Sequence, residues 1–366
     1  MKIAYDAKRF FQNRSGLGNY SRDLVRIMAT AFPENEYILF NKKKTELGKE
    51  IMAMPNAHFQ ENKGFLARQT QLGKAVEQLQ VDIFHGLSGE LPLRWAKDSK
   101  VKKVVTIHDL IFQRFPQYYT WMDRKIHFWK FKKAAQVADK VIAISEQTKK
   151  DIVHFLNIDP KKVEVIYQGC HPAFKRKFTP ENLQTIKEKY ALPDAFLLSV
   201  GTIEPRKNLL HVLKAIRGKD IPLVVVGKPQ KGYFQKVQKY IQQYAIPVQF
   251  ISVAQMEELA AIYQLAKVFI YISEFEGFGI PVIEALYSGT PVITSNISAM
   301  PEAGGDAALY VHPHDKKDIA SKIEYLWNFT DERMRRVKIG KDFVQRFNDE
   351  HIANQWNAVY QELLCR

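Results

Sequence analysis

The chain has 366 residues, 46% hydrophobic and 25% charged, enough for two domains and unlike collagen, a coiled coil or a disordered tail. No apolar run approaches the roughly 18–20 residues that span a bilayer, and Cys170 and Cys365 are too few for a disulfide framework, so a cytoplasmic protein is expected. The net charge of +15 is uneven: residues 1–180 carry 32 basic and 18 acidic side chains against 22 and 21 in residues 181–366, so the first half is expected to meet anions.

Short β-branched runs alternate with helical patterns along the whole chain. The opening MKIAYDAKRF lacks a long apolar stretch and a small-residue cleavage site, so Lys2–Asp6 reads as a buried strand rather than part of a leader. The loop after it, FFQNRSGLGNYSRDL, sets Gly16 and Gly18 around Leu17. Glycines there let a backbone approach a phosphate or sugar closely, and a plain tight turn explains them too. There is no full dinucleotide fingerprint and no P-loop. A helical pattern covers 21–31, and strands follow at Tyr37–Phe40, Asp82–His85 and Val104–His108. His108 and Asp109 end the last of these, where they suit a sugar hydroxyl or phosphate, or simply pack and cap. In the next helical stretch Trp121, Phe128, Trp129 and Phe131 mix with Arg124, Lys125, Lys130, Lys132 and Lys133. Such a mixture suits an interfacial helix on anionic membrane, or a half-buried helix with a solvated basic face. Strands at Val141–Ser145 and Val163–Tyr167 follow.

The charged, proline-bearing HPAFKRKFTP breaks the pattern, and residues 173–180 read as an interdomain linker. The expected domains are 1–172 and 181–348, with a C-terminal helix at 349–366 whose Trp356 and Tyr360 suit packing back on the first domain. Second-half strands are expected at Phe196–Gly201, Pro222–Gly227, Val248–Ser252, Val268–Ile272, Pro291–Thr294 and Leu309–Val311. Two parallel α/β sheets, covered on both faces, follow from the alternation.

Two loops of this half carry most of the chemistry. In SVGTIEPRKNLLHVLKAI, Asn208 reads as a helix cap, and Arg206 and Lys207 lie at the carboxyl edge of the sheet, where two cations suit a diphosphate. In EFEGFGIPVIEALYSGTPVITS a strand ends near Ser273, a glycine turn follows, and Pro281 suits the first turn of a helix. The turn amides and helix start form a positively biased surface flanked by Glu276 and Glu284, natural partners for sugar and ribose hydroxyls. No Asp-x-Asp occurs, so leaving-group charge falls to Arg, Lys and helix termini, and no metal or other cofactor is expected.

Taken together and in order, these segments, with Glu146-Gln147-Thr148 and PEAGGDAALYVHP, resemble glycosyltransferase family 4, over nearly the whole chain. The resemblance implies a retaining enzyme of GT-B fold, an α/β architecture of two Rossmann-like domains with parallel sheets facing across a deep cleft. It implies that Glu276 contacts the transferred sugar, Glu284 holds the donor ribose, and Arg206 and Lys207 bind the diphosphate. Gly277, Phe278, Gly279 and Ile280 present backbone amides, Gly16 and Gly18 approach the diphosphate from the other domain, and His108 stands beside the reacting sugar. The chain departs from many members at Ile272-Ser273, where they have Pro-Ser, and at Ser252, where they have glycine near the nucleotide base.

The expected partners are a nucleotide-sugar donor, a glycan or lipid-linked acceptor on the first domain, and the inner face of the cytoplasmic membrane. The opening segment resembles mannosyltransferases of surface-polysaccharide pathways, which favours GDP-mannose over UDP-sugars. Rival readings are a nucleotide-sugar epimerase or phosphorylase of the same fold and a nucleic-acid-binding protein. No set of extra acid–base groups supports the first, and no nucleic-acid motif supports the second.

Overall fold

The computed structural model describes residues 1–14, 16–62 and 67–365. Ser15 of the expected glycine loop and Arg366 of the expected terminal helix lie outside these. The chain forms two units, Met1–Gly169 with Phe347–Arg366, and Cys170–Arg346.

The first unit holds seven parallel strands: β1 Lys2–Asp6, β2 Glu36–Asn41, β3 Ala57–Glu61, β4 Ile83–Gly86, β5 Lys102–Ile107, β6 Lys140–Ala143 and β7 Val163–Val165. Their order is β3-β2-β1-β4-β5-β6-β7, with Ile3 in register with Tyr37 on one side and Ile83 on the other. β4 and β6 are buried at every residue, as strands covered on both faces must be. Two helix starts follow local capping chemistry: Ser145 accepts from the Thr148 amide at 3.0 Å, and Thr120 from that of Asp123 at 3.2 Å.

The second unit holds six parallel strands: β8 Leu197–Val200, β9 Leu223–Val226, β10 Val248–Ile251, β11 Val268–Tyr271, β12 Val292–Ser295 and β13 Leu309–Val311, in the order β10-β9-β8-β11-β12-β13. Both sheets reverse direction beside their first strand. The reversal falls between β1 and β4 in the first unit and between β8 and β11 in the second, and in doubly wound folds the carboxyl ends at that point form the ligand crevice.

Residues 173–180 do not form a free linker. Pro172–Lys175 is a 3-10 turn whose Phe174 is fully buried with its ring 5.5 Å from that of Tyr263, and Thr179 caps the helix Pro180–Lys189. Apolar packing draws the segment into the second unit, and the chain crosses at Gly169/Cys170. It crosses back at Arg346/Phe347, and the helix Asp349–Cys365 joins the first unit. There Trp356 and Tyr360 are buried, Tyr360 meets His85 Nδ1 at 2.8 Å, and Lys140 reaches Glu362 at 3.2 Å.

The glycine segment also differs from expectation. Gly16 and Gly18 lie in the helix Gly16–Ala31, preceded by a short helix, Lys8–Gln12, so they form no open loop. At Gly18 a Cβ would stand 1.9 Å from the Asn13 carbonyl oxygen, and the glycine serves this close chain crossing.

Candidate active site

The second unit's crevice is built from the ends of β8 and β11. After β8 the chain makes a 3-10 turn, Pro205–Lys207, and then places Asn208 in the left-handed region at φ 62°. Asn208 does not cap the following helix with its side chain. Its amide is buried and donates instead to the Pro313 carbonyl at 2.5 Å and the Ile272 carbonyl at 3.4 Å. That ties the Arg206–Lys207 turn to the end of β11, as does the bond from the Glu274 amide to the Arg206 carbonyl at 2.9 Å.

Glu276 is the centre of the cluster. Its Oε1 accepts from Arg206 Nη1 at 2.7 Å, from Ser273 Oγ at 2.6 Å, from the Tyr271 hydroxyl at 3.0 Å and from Lys207 Nζ. Arg206 also donates to the Phe275 carbonyl at 2.6 Å and to Glu204 at 2.5 Å. Ser298 fixes the backbone of Glu276 from both sides, accepting from its amide at 2.9 Å and donating to its carbonyl at 2.7 Å. The side chains of Arg206, Lys207 and Glu276 remain 14–16% exposed. Burial alone raises a carboxyl group, but Lys207 and then Arg206 overcome it and hold Glu276 down at about 2. Burial lowers the Lys207 ammonium, and Arg206 adds to this against the pull of Glu276.

Gly279, at φ 137°, turns the chain into the helix Ile280–Ser288; a Cβ there would meet Met300 at 2.7 Å. Pro281, which has no N–H, stands in the first turn, and the Val282 amide there donates to the Gly279 carbonyl at 2.9 Å. Gly277 and Phe278 lead into it, with Phe278 buried. Glu284, one turn on, is 9% exposed, and its Oε2 accepts from the buried Tyr263 hydroxyl at 3.1 Å. Burial pushes its carboxyl up to about 7, against the bond from Tyr263. The cationic pair and Glu276 thus share one cluster, and Glu284 is held separately by Tyr263.

His108 belongs to the first unit, just past β5. Its Nε2 donates to the Leu87 carbonyl at 2.9 Å, its Nδ1 faces the Gln168 amide at 3.3 Å, and its ring stands edge-on to Tyr20 at 4.5 Å. Burial, and next the charge of Arg9, lowers the imidazole to about 4 against the Leu87 bond, so it is neutral at pH 7. Asp109 turns back to accept from the Ile111 amide at 3.1 Å.

Glu204, Tyr271, Ser273, Ser298 and Tyr263 escaped the sequence reading. For Ser273 and Tyr271 a signal existed, since both end the strand that feeds Glu276. Ser298 and Tyr263 are brought in only by the fold. Among the described residues no three His, Cys, Asp or Glu side chains cluster to hold a metal, and no helix is long and apolar enough to cross a membrane.

Comparison with known proteins gives this geometry a context. Residues 16–174 match the model of Glycosyltransferase Family 4, and residues 183–343 that of Glycosyl transferases group 1. The chain is 26% identical to the O-antigen chain mannosyltransferase B of Escherichia coli, over 99% of this chain and 100% of that protein. It is 30% identical to the serotype-specific mannosyltransferase WbdA of Escherichia coli over 67% of this chain, and the match spans 31% of that longer protein. In fold it is similar to Anabaena Alr3699/HepE, solved in complex with UDP-glucose, with a TM-score of 0.77 over 99% of this chain and 100% of that one, at 16% identity. Two Rossmann-like units of parallel sheet and two family models that together cover most of the sequence lead to one assignment: the chain belongs to the family 4 glycosyltransferases and is an enzyme of GT-B fold.

Proposed function

We propose that this enzyme transfers a hexose, in the first instance mannose from GDP-mannose, from a nucleotide diphosphate sugar to a glycan or lipid-linked acceptor, with retention of configuration and without a metal. The observation that carries the donor side is the convergence of Arg206, Lys207 and Glu276 at the second sheet's reversal point. Mannose is favoured by the O-antigen mannosyltransferase that matches end to end.

In this reading the bond from the anomeric carbon to the β-phosphate oxygen lengthens first. Negative charge then builds on the leaving diphosphate, where Arg206, Lys207 and the backbone amides of Gly277 to Ile280 stabilise it. Glu276, ionised at neutral pH, accepts from a sugar hydroxyl, and Glu284 accepts from the ribose. The acceptor hydroxyl attacks the face that the phosphate leaves and passes its proton to the departing oxygen. Neutral His108 supplies a hydrogen bond to the sugar by exchanging one of its present partners. The acceptor binds the first unit. The helix Trp121–Val137 exposes Trp121, Met122, Ile126 and Trp129, with Lys125 Nζ 4.0 Å from the Trp121 ring, which supports contact with an anionic membrane surface.

The test is a thermal-shift screen against GDP-mannose, UDP-glucose and ADP-glucose, followed by transfer assays with and without EDTA. Stabilisation by GDP-mannose and EDTA-insensitive transfer with retention are expected. Stabilisation by none of the three overturns the reading.

A further inference from the structure

The first unit has a crevice of its own at the carboxyl edge of its sheet. A cavity of about 380 Å3 opens where β1 and β2 end, within the size range of small-molecule pockets. Its floor is an ion network. Arg68 Nε meets Asp6 Oδ2 at 2.5 Å, Arg68 Nη1 meets Glu90 Oε2 at 2.8 Å, and Lys130 approaches the other oxygen of Glu90 at 3.5 Å. Asp6 is 6% exposed and Arg68, Glu90 and Lys130 are 20–26% exposed, so the network runs outward from the buried end of β1. Beside it Gln12 donates to Asn41 Oδ1 at 3.3 Å, Asn41 Nδ2 donates to the Lys43 carbonyl at 2.9 Å, and both residues line the cavity. Fixed carboxylates, a fixed guanidinium and paired amides are the groups that read a set of hydroxyls.

The charges of the cavity do not cancel. Lys8, Lys42, Arg68 and Lys130 line it against Asp6 and Glu90. The Lys8 ammonium makes no hydrogen bond or ion pair to any described residue, although its own backbone amide bonds Asp6 at 3.3 Å. Burial, and then the charges of Arg68 and Arg9, lowers its pKa, so an added anion there is favoured electrostatically.

We infer that this cavity is the acceptor subsite and that it takes a saccharide bearing an anionic group, the hydroxyls read by Asp6, Arg68 and Glu90 and the anion held by Lys8. The anion is a phosphate ester or a uronate carboxylate, which share the chemistry of two or more charged oxygens. The inference rests on the reading of the enzyme as a sugar transferase and names the class of its acceptor.

Calorimetric titration of the full chain with mannose 6-phosphate, glucuronate and methyl mannoside tests it. One of the anionic sugars should bind at least about tenfold more tightly than the neutral one. Lys8→Gln, an exposed position whose loss leaves the ion network whole, should abolish that preference, and Lys207→Ala should leave it unchanged. Whichever anionic sugar prevails identifies the source of the charge. Equal binding of all three sugars, or loss of the preference in Lys207→Ala instead of Lys8→Gln, overturns the inference. GDP titrated into the same samples reports on the donor side separately: if it binds the parent chain and Lys8→Gln alike while the sugars fail, the acceptor assignment alone falls.

Discussion

Arg206 and Glu276, 70 residues apart in the chain, meet at 2.7 Å, and the oxygen on which they meet is also held by Lys207. The groups suited to a diphosphate are therefore resting on a carboxylate. On the proposed function, a donor's phosphates compete with Glu276 for these two cations, and the carboxylate is released toward the sugar as they yield.

That competition gives opposite expectations for binding and for transfer. Glu276→Gln removes the competing charge, so GDP should bind about tenfold more tightly while transfer falls steeply. Calorimetry with GDP beside a transfer assay checks both, and weaker GDP binding in this variant contradicts the competition.

Loss of either cation should lower transfer without unfolding the chain. Lys207→Ala and Arg206→Ala should each lower kcat by about 10²–10³, the scale of a lost oxyanion donor, with the melting temperature little changed. Near-normal turnover in both rejects the diphosphate assignment.

Glu284 couples the site to pH. Its folded-state pKa of about 7 lies above the ordinary carboxyl value, so the folded chain holds more protons than the unfolded one between these values. Stability conferred by the protonated form is then full below the ordinary value and is lost as pH rises through about 7. Glu284→Gln should match the parent near pH 4 and exceed it at pH 8 by up to about 3 kcal/mol in urea unfolding. A difference that does not change with pH removes the burial argument.

The exposed aromatic face makes a separate claim. Sedimentation with liposomes rich in anionic lipid should carry the parent chain down, and Trp121→Ser with Trp129→Ser should weaken this severalfold. The exposure of both rings, 65% and 54%, makes the double variant safe for folding. Equal sedimentation with neutral and anionic vesicles refutes the electrostatic part.

Much of the fold was legible because buried parallel strands are short apolar runs, and β9, β11 and β12 of the second unit stood out in this way. β3, AHFQE, did not: as an edge strand it is mostly exposed, so no apolar run marks it. Gly16 and Gly18 misled because glycine signals space for a backbone without saying whose, and at Gly18 it is the chain's own Asn13. Arg206, Lys207, Glu276 and Glu284 were visible as residue types at a sheet edge. Tyr263 and Ser298 were not, because a hydroxyl in a helix or loop carries no pattern until the fold sets it against a carboxylate or a carbonyl.

The return of the last helix to the first unit has a consequence for synthesis. Residues 1–169 leave the ribosome long before Trp356 and Tyr360, so His85 and the apolar surface around it must wait through the whole of the second unit for their cover. A stop codon between Arg346 and Trp356 leaves the second unit intact and the first one with a hydrophobic wound, the kind of surface that chaperones and proteases recognise.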